Sequence, residues 1–187
     1  MLETIINHAR NRDYMSGVER EKSRVKSTGE VFTPTALVQE MLGQLPPELF
    51  TDPTKTFLDP TCGDGQFLSE VLIKKVENGI SYGQALSTIY GADLMLDNCI
   101  ETIKRLYMVN DTDIIIYKRK KPSETDRKKG ITRHITKEHR DKSGLLYMFK
   151  LKHDPIQFLN IVCADGLEYD YSFNEPMNDN FNNFFYE

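Results

Sequence analysis

Apolar residues along the chain alternate between short continuous runs and stretches with helical spacing. Three runs, at residues 56–58, 88–92 and 160–164, predict buried strands, and each is followed directly by an aspartate. Helical spacing at residues 66–75 and 97–107 predicts the helices that connect parallel strands. This alternation is typical of an α/β protein.

Other segments add further elements to this frame. Helices are predicted within residues 3–12 and 18–26, and residues 82–87 extend or follow the helix that begins at residue 66. Thr33 is predicted to cap a helix that has Pro34 at its first position and ends before Pro46 and Pro47. Residues 113–117 and 145–151 predict a β-hairpin with a long, mobile, cationic tip.

The stretch at residues 57–68 joins the first strand to its helix through a glycine turn. Pro60 ends the strand, and Gly63 and Gly65 allow a tight turn that backbone and ligand can approach closely. The third glycine of a dinucleotide site is missing, and Asp59 and Asp64 flank the turn instead. Carboxylates there repel phosphate but accept hydrogen bonds from an ammonium or a ribose, which favours S-adenosylmethionine. An ordinary glycine-rich strand-to-helix turn is the alternative.

The aspartates after the second and third strands strengthen the cofactor interpretation. Asp93 is placed to hold a ribose diol, or to cap the following helix, or to do both. Asp165 is placed to accept a hydrogen bond from an exocyclic amine such as adenine N6, or to cap the following turn. Three parallel strands that each end in an aspartate form a more specific pattern than any one of them.

Composition and charge bound the class of protein. The 187 residues are 39% hydrophobic and carry a net charge of -4, with neither a membrane-spanning run nor a signal-peptide pattern at the start. Three widely spaced cysteines predict neither a disulfide framework nor a zinc site and suit a reducing cytoplasm. His134 and His139 are interpreted as solvated residues, so no metal site is predicted.

Positive charge is concentrated in one segment. Residues 118–152 contain 13 Lys/Arg and 4 Asp/Glu, a net +9, so the rest of the chain carries -13 against the total of -4. A basic patch on an acidic body predicts contact with a polyanion such as DNA. A solvated loop whose charge only maintains solubility is the alternative.

Four stretches resemble successive motifs of the N6-adenine DNA methyltransferases, most closely the modification subunits of type I restriction systems. They are residues 29–34, 59–68, 91–94 and 162–167. The resemblance covers residues 28–171 apart from the basic hairpin, which looks like an insertion at residues 111–152. It implies a Rossmann-like S-adenosylmethionine-dependent methyltransferase fold, which is incomplete because only strands one to three are recognised. Residues 1–27 are then an N-terminal helical arm, and residues 172–187 an acidic and aromatic tail.

The resemblance also implies the site residues. The methionine end of the cofactor would be lined by Phe32, Thr33 and Pro34, and the turn beneath it formed by Asp59, Thr61, Cys62, Gly63 and Gly65. The ribose would be held by Asp93 beside Leu94, and the adenine by Ala164 and Asp165. Asp64 is expected near the turn without an assigned contact. The residues expected to contact DNA are Lys118, Arg119, Lys120, Lys121, Arg127, Lys128 and Lys129.

The chain departs from the family at the catalytic loop. The Asn-Pro-Pro-aromatic tetrapeptide that follows the fourth strand of the family is not found, and residues 174–177, with Asn174 and Pro176, are a poor substitute. The expected function is therefore an S-adenosylmethionine-binding, adenine-methyltransferase-like protein that is incomplete as a catalyst on its own. The alternative is a non-catalytic module that binds nucleic acid or a partner.

The missing fourth strand has a structural consequence. In this architecture the first strand is central, so one edge of residues 57–58 would lack a ladder partner. The hairpin strands, the aromatic tail or another chain, either a second subunit or a second copy, is expected to cover it.

Overall fold

Helices and strands alternate along the chain in the computed structural model, which describes residues 2–10, 33–120, 145–154, 157–167 and 169. The helices are α1 (Leu2–Arg10), α2 (Thr35–Gly43), α3 (Glu48–Thr51), α4 (Gln66–Glu77), α5 (Tyr82–Ser87) and α6 (Leu96–Tyr107). The strands are β1 (Phe57–Asp59), β2 (Ile89–Asp93), β3 (Ile114–Lys120), β4 (Leu145–Leu151) and β5 (Ile161–Cys163), and a short 3-10 helix at Asp111–Asp113 precedes β3. Among the helices of these residues, none has the length and apolar character needed to cross a bilayer.

The five strands form one mixed sheet in the order β1-β2-β5-β4-β3. Strands β1, β2 and β5 are parallel, which confirms the predicted parallel set and the α/β class. Strand β4 runs antiparallel to β5, and β3 antiparallel to β4. The aspartate-bearing strands are therefore neighbours at one end of the sheet.

Strands β3 and β4 form the predicted hairpin, but they join the sheet beside β5, at the opposite end from β1. The suggestion that the hairpin strands cover the edge of β1 is therefore wrong. Within the described residues, β1 pairs with β2 alone. The predicted cationic tip, at residues 121–144, and the aromatic tail lie outside the described residues.

Helices α4 and α6 pack on the same face of the parallel strands. Leu68 of α4 lies against Gly91, and Cys99 of α6 lies against Cys163. The ladder pairs Gly91 with Ile161, two residues before Cys163, so both contacts fall on one face. A single face for both helices follows from right-handed connections between strands that are added in one direction. The main hydrophobic core lies between this face and the helices.

A smaller apolar cluster lies on the opposite face of the sheet. It consists of Ala92, Met148, Val162 and Ala164, with Phe158 and Tyr169 packed against it. Strands β2, β4 and β5 therefore contribute apolar side chains to both faces, as expected for strands in the interior of a sheet.

Helix α1 is attached to the helical layer by buried polar contacts. The Arg10 guanidinium donates two hydrogen bonds to Glu70 of α4, at 2.8 and 2.7 Å, and Glu70 is only 1% exposed. Gln39 of α2 donates a third bond to Glu70 at 3.0 Å. Glu70 therefore joins three helices. The other predicted N-terminal helix, at residues 18–26, lies outside the described residues.

Helix α2 begins one residue later than predicted. Pro34 has φ -58° and ψ 142°, an extended conformation, so it occupies the cap position and Thr35 is the first helical residue. The prediction that Thr33 is the N-cap is therefore wrong. Val38 and Leu42 face the core, whereas Leu37, Met41 and Leu45, which follow the same helical spacing in the sequence, are 45%, 47% and 38% exposed.

Candidate functional site

The glycine turn between β1 and α4 is fixed by backbone hydrogen bonds. The Cys62 N–H donates to the carbonyl of Ala92 in β2, and the Gly65 N–H donates to the carbonyl of Cys62, at 2.9 and 2.8 Å. Gly63 and Gly65 have φ of 54° and 83°, values that favour glycine because it lacks a Cβ. The turn therefore closes over the end of the neighbouring strand, at the carboxyl edge of the sheet.

Asp93 connects this turn to the next helix. Its Oδ2 accepts a hydrogen bond from the Gly63 N–H at 2.9 Å. Its Oδ1 accepts from the Met95 N–H at 2.8 Å and from Asn98 Nδ2 at 3.2 Å. Met95 occupies the cap position of α6, so the alternative that Asp93 caps this helix is wrong. Asp93 instead accepts from the Met95 N–H just before the helix, and the same carboxylate holds the glycine turn in place.

Asp59 lies close enough to Asp93 for their charges to interact. Asp59 is half-buried at the end of β1, and its Oδ1 accepts a hydrogen bond from the Thr61 N–H at 3.1 Å. Burial raises the pKa of Asp59, the Thr61 N–H lowers it, and the Asp93 carboxylate raises it further. Two neighbouring carboxylates, one of them partly desolvated, favour a cationic ligand over an anionic one.

The ladder register places the three aspartates at successive levels. Asp59 is paired with Gly91, so Asp93 lies two positions further along β2 and on the same face. Asp93 is paired with Cys163, so Asp165 comes two positions beyond that pair. The three predicted acids therefore belong to one edge of the sheet, in a staggered row.

The third acid has the most open surroundings. Asp165 is exposed, and its Oδ1 accepts a hydrogen bond from the Leu167 N–H at 3.0 Å, so it caps the following turn. Ala164 is buried beside it, and its N–H donates to the Asp93 carbonyl. Leu94 is 67% exposed and Leu167 98% exposed. Apolar side chains therefore stand open next to the acids of β2 and β5, where a planar ring could pack against them.

Cys62 belongs to the core beneath the turn. It is 5% exposed, and its Sγ lies 3.8 Å from the Thr102 hydroxyl. Burial and the charges of Asp93 and Asp59 raise the pKa of Cys62 well above its ordinary value. The thiol therefore stays in its uncharged form, and the buried side chain packs beneath the turn.

Gly65 packs tightly against helix α6. A Cβ at this position would lie 3.0 Å from Thr102 Cγ2 and Oγ1, and 3.2 Å from its Cα. The Thr102 hydroxyl also donates to the Gly63 carbonyl at 3.0 Å. Because Gly65 has no side chain, α6 can pack closely against the turn.

Asp64 has a partner that the sequence did not indicate. Its Oδ2 accepts a hydrogen bond from Arg105 of α6 at 2.9 Å, and both side chains are almost completely buried. The prediction that Asp64 lies near the turn is confirmed, but its charge is balanced by Arg105. The Asp64 carboxylate is therefore directed at α6, whereas Asp59 lies near Asp93 at the carboxyl edge of the sheet.

The remaining predicted residues fall into three groups. Thr33 is half-buried and Pro34 exposed just before α2, and Thr61 is exposed on the turn. The backbone of Lys118, Arg119 and Lys120 lies on β3. Outside the described residues are Phe32, Lys121, Arg127, Lys128, Lys129, Asn174 and Pro176.

Comparisons of this chain with protein-family models, with curated proteins and with solved structures find no match.

Proposed function

We propose that the chain binds S-adenosylmethionine at the carboxyl ends of β1, β2 and β5, and that it is a DNA adenine N6-methyltransferase-like protein with a Rossmann-like methyltransferase fold. The observation that carries this proposal is the pair Asp59 and Asp93. They lie on one face of adjacent parallel strands, and Asp93 is hydrogen-bonded to the Gly63 N–H of the glycine turn. Ligands of open α/β sheets bind at this edge.

The chemistry of the acids supports this choice of ligand. S-adenosylmethionine supplies an electrophilic methyl group on a sulfonium, and it carries an ammonium as well. Asp59, with its charge near that of Asp93, would receive this cationic end. Asp93 already accepts from Gly63, Met95 and Asn98, and it would accept one further hydrogen bond, from a ribose hydroxyl.

The adenine end would be placed at β5. Asp165 would accept a hydrogen bond from the exocyclic amine, and Ala164 would lie under the ring. Leu94, which is 67% exposed, would pack against the ring and gain burial on binding. Thr33 and Pro34, with Phe32 before them in the sequence, would line the methionine end.

Calorimetric titration with S-adenosylmethionine tests the binding site, and the chain offers a matched control. Residues 59–61 and 52–54 are both Asp-Pro-Thr, and both aspartates accept a hydrogen bond from the threonine N–H two residues later. Asp59→Asn should weaken binding by about tenfold, the effect of one lost charged contact. Asp52→Asn should leave the affinity unchanged. Equal affinities for the two variants would contradict the site, as would wild-type protein that binds no cofactor.

The transfer step is proposed to need a component that these 187 residues do not contain. The family resemblance assigns the target base to an Asn-Pro-Pro-aromatic loop, and Asn174 and Pro176 are weak substitutes for it. We therefore expect the purified chain to bind the cofactor without transferring its labelled methyl group to unmodified DNA. Transfer by the chain alone would show that another residue polarises the adenine amine, and it would overturn the incomplete-catalyst proposal.

DNA contact is proposed for the basic hairpin. Residues 118–152 carry a net +9, and their strands lie at the far end of the sheet from β1. Replacing residues 118–121 with glutamine should weaken DNA binding and reduce its dependence on salt concentration, because fewer counterions are released. An unchanged salt slope would instead favour the interpretation of this segment as a solvated loop.

The second candidate is a non-catalytic module that binds nucleic acid or a partner subunit. It is favoured by the edge of β1, because β1 pairs with β2 alone within the described residues and Leu58 is 47% exposed. A second subunit or a second copy of the chain would cover this edge, or the aromatic tail would. Sedimentation of protein lacking residues 181–187 tests the tail. Unchanged solubility and mass would leave the two partner options.

A further inference from the structure

A buried arginine lies behind the glycine turn. Arg105 is 1% exposed, and its guanidinium donates from Nη2 to Asp64 Oδ2 at 2.9 Å and from Nη1 to Gln66 Oε1 at 2.6 Å. A guanidinium is charged at every physiological pH and has only donors, so burial is tolerated only where acceptors surround it. Asp64 supplies the charge, and Gln66 supplies a directed acceptor.

The arginine also fixes the orientation of the Gln66 amide. Because Arg105 cannot accept a hydrogen bond, the Gln66 oxygen must face it and the Gln66 Nε2 must point away. That nitrogen donates to the Thr35 hydroxyl at 2.7 Å. The four side chains thus form a continuous series of hydrogen bonds whose donors point outward from Arg105, through Gln66 to Thr35 on one side and to Asp64 on the other.

This series connects two segments that are distant in sequence. Asp64 lies inside the glycine turn, and Thr35 is the first residue of α2, directly after Thr33 and Pro34. Gln66 is the first residue of α4, where the turn ends. The distance between the turn and the start of α2 therefore depends on this series of side chains, of which Asp64, Gln66 and Arg105 are buried.

We propose that Gln66 and Arg105 are positioning residues that hold the Thr33–Pro34 segment against the glycine turn, so that the site accepts the amino-acid end of its ligand. The inference rests on the proposed cofactor, since that segment would line the methionine end. The nucleoside end is held by residues at the ends of β2 and β5, whereas the hydrogen bonds that form this series end at Thr35 and Asp64. Loss of the series should therefore affect one end of the ligand and spare the other.

Two ligands and two glutamine variants separate this role from a general structural one. S-adenosylmethionine carries the amino-acid end, and 5′-methylthioadenosine lacks it. Gln66→Met removes the bonds to Thr35 and Arg105. Gln39→Met is the matched control, because Gln39 also joins α2 to α4, through Glu70, one helical turn further along α2. Thr35→Val, which removes only the last bond, serves as a second variant if Gln66→Met does not fold.

Calorimetry should show that Gln66→Met weakens S-adenosylmethionine binding by about tenfold, and 5′-methylthioadenosine binding by less than about twofold. Thr35→Val should shift the two affinities in the same pattern, and Gln39→Met should leave both unchanged. Equal weakening of the two ligands, or no weakening of either, would overturn the positioning role alone. Wild-type protein that binds neither ligand would overturn the proposed cofactor site, and the positioning role with it.

Hydrogen exchange in the ligand-free protein gives a readout independent of the cofactor. Amides of residues 36–38 and of residues 63–66 should exchange faster together in Gln66→Met, because the same side chain restrains both segments. Gln39→Met should leave the glycine turn protected. Unchanged exchange in the turn of Gln66→Met would show that the turn does not depend on Gln66, and would overturn the proposal.

Discussion

Two glycines of this chain allow a measurement of how much the close packing of α6 against Gly65 affects the free energy of unfolding on substitution. Gly65 and Gly79 have nearly the same backbone conformation, with φ of 83° and 88°. A Cβ at Gly79 would meet nothing within 4 Å, whereas one at Gly65 would meet Thr102 at 3.0 Å. Replacing each with alanine therefore applies the same backbone strain with and without a steric clash.

The expected losses of stability follow from the backbone strain and the steric clash. The left-handed conformation costs an alanine about 1–2 kcal/mol, and this is the whole loss expected for Gly79→Ala. Gly65→Ala adds overpacking against a buried threonine, which costs about 1–3 kcal/mol more. Thr102 cannot easily move aside, since its Cα is also only 3.2 Å away and its hydroxyl is bonded to the Gly63 carbonyl. The free energy of unfolding should therefore fall further for Gly65→Ala, by about 2 kcal/mol.

Urea denaturation followed by circular dichroism measures both variants against wild type. The Thr102→Ser background removes Cγ2 and keeps the hydroxyl, so it should reduce the extra loss at Gly65 and leave the loss at Gly79 unchanged. Equal losses at the two glycines would refute the argument that α6 demands a glycine in the turn. The need for glycine at position 65 would then come from backbone conformation alone.

Charged side chains inside the protein allow three more tests. Arg10→Ala should lower the free energy of unfolding by about 2 kcal/mol, less than for a fully buried pair because Arg10 is one-third exposed. Adding Glu70→Gln should recover part of that loss in urea denaturation, and no recovery would contradict a charge-based cost. Burial lowers the pKa of Lys75, so the unfolded chain holds this proton more tightly than the folded protein does. The stability of wild type relative to Lys75→Met should therefore increase with pH up to the ordinary lysine value of 10.5, and a flat difference would argue against this. Carbon-detected NMR titration should place the pKa of Asp59 above its ordinary value and lower in the Asp93→Asn variant, where an unmoved pKa would mean that the two carboxylates do not interact.

Local signals made much of the fold predictable. Strand β1 ends where Pro60 forbids a further ladder bond, and α4 begins where the glycine turn ends, so neighbouring residues determine both boundaries. The parallel order of β1, β2 and β5 followed from the helices between them. The place of the hairpin could not be predicted in this way, because strand order depends on contacts between distant segments.

The candidate site was likewise predictable where neighbouring residues determine it, and not where contacts between distant segments do. Asp59, Asp93 and Gly63 were identified from spacing, and the structure brings them together. The pairing of Asp64 with Arg105 was missed because the residues are 41 positions apart and neither is unusual where it stands. The helical spacing of Arg105 with Asn98 and Thr102, which are also buried polar residues of α6, was the available signal.

The stagger of the sheet edge limits the shape of any molecule that touches more than one of its acids. Each step from β1 to β2 and on to β5 moves about 4.8 Å sideways and, with two residues of offset, about 6.6 Å along the strands. A compact cation such as ammonium cannot contact all three carboxylates at once, because two such steps separate Asp59 from Asp165. The edge therefore favours elongated molecules whose polar groups are separated by similar distances.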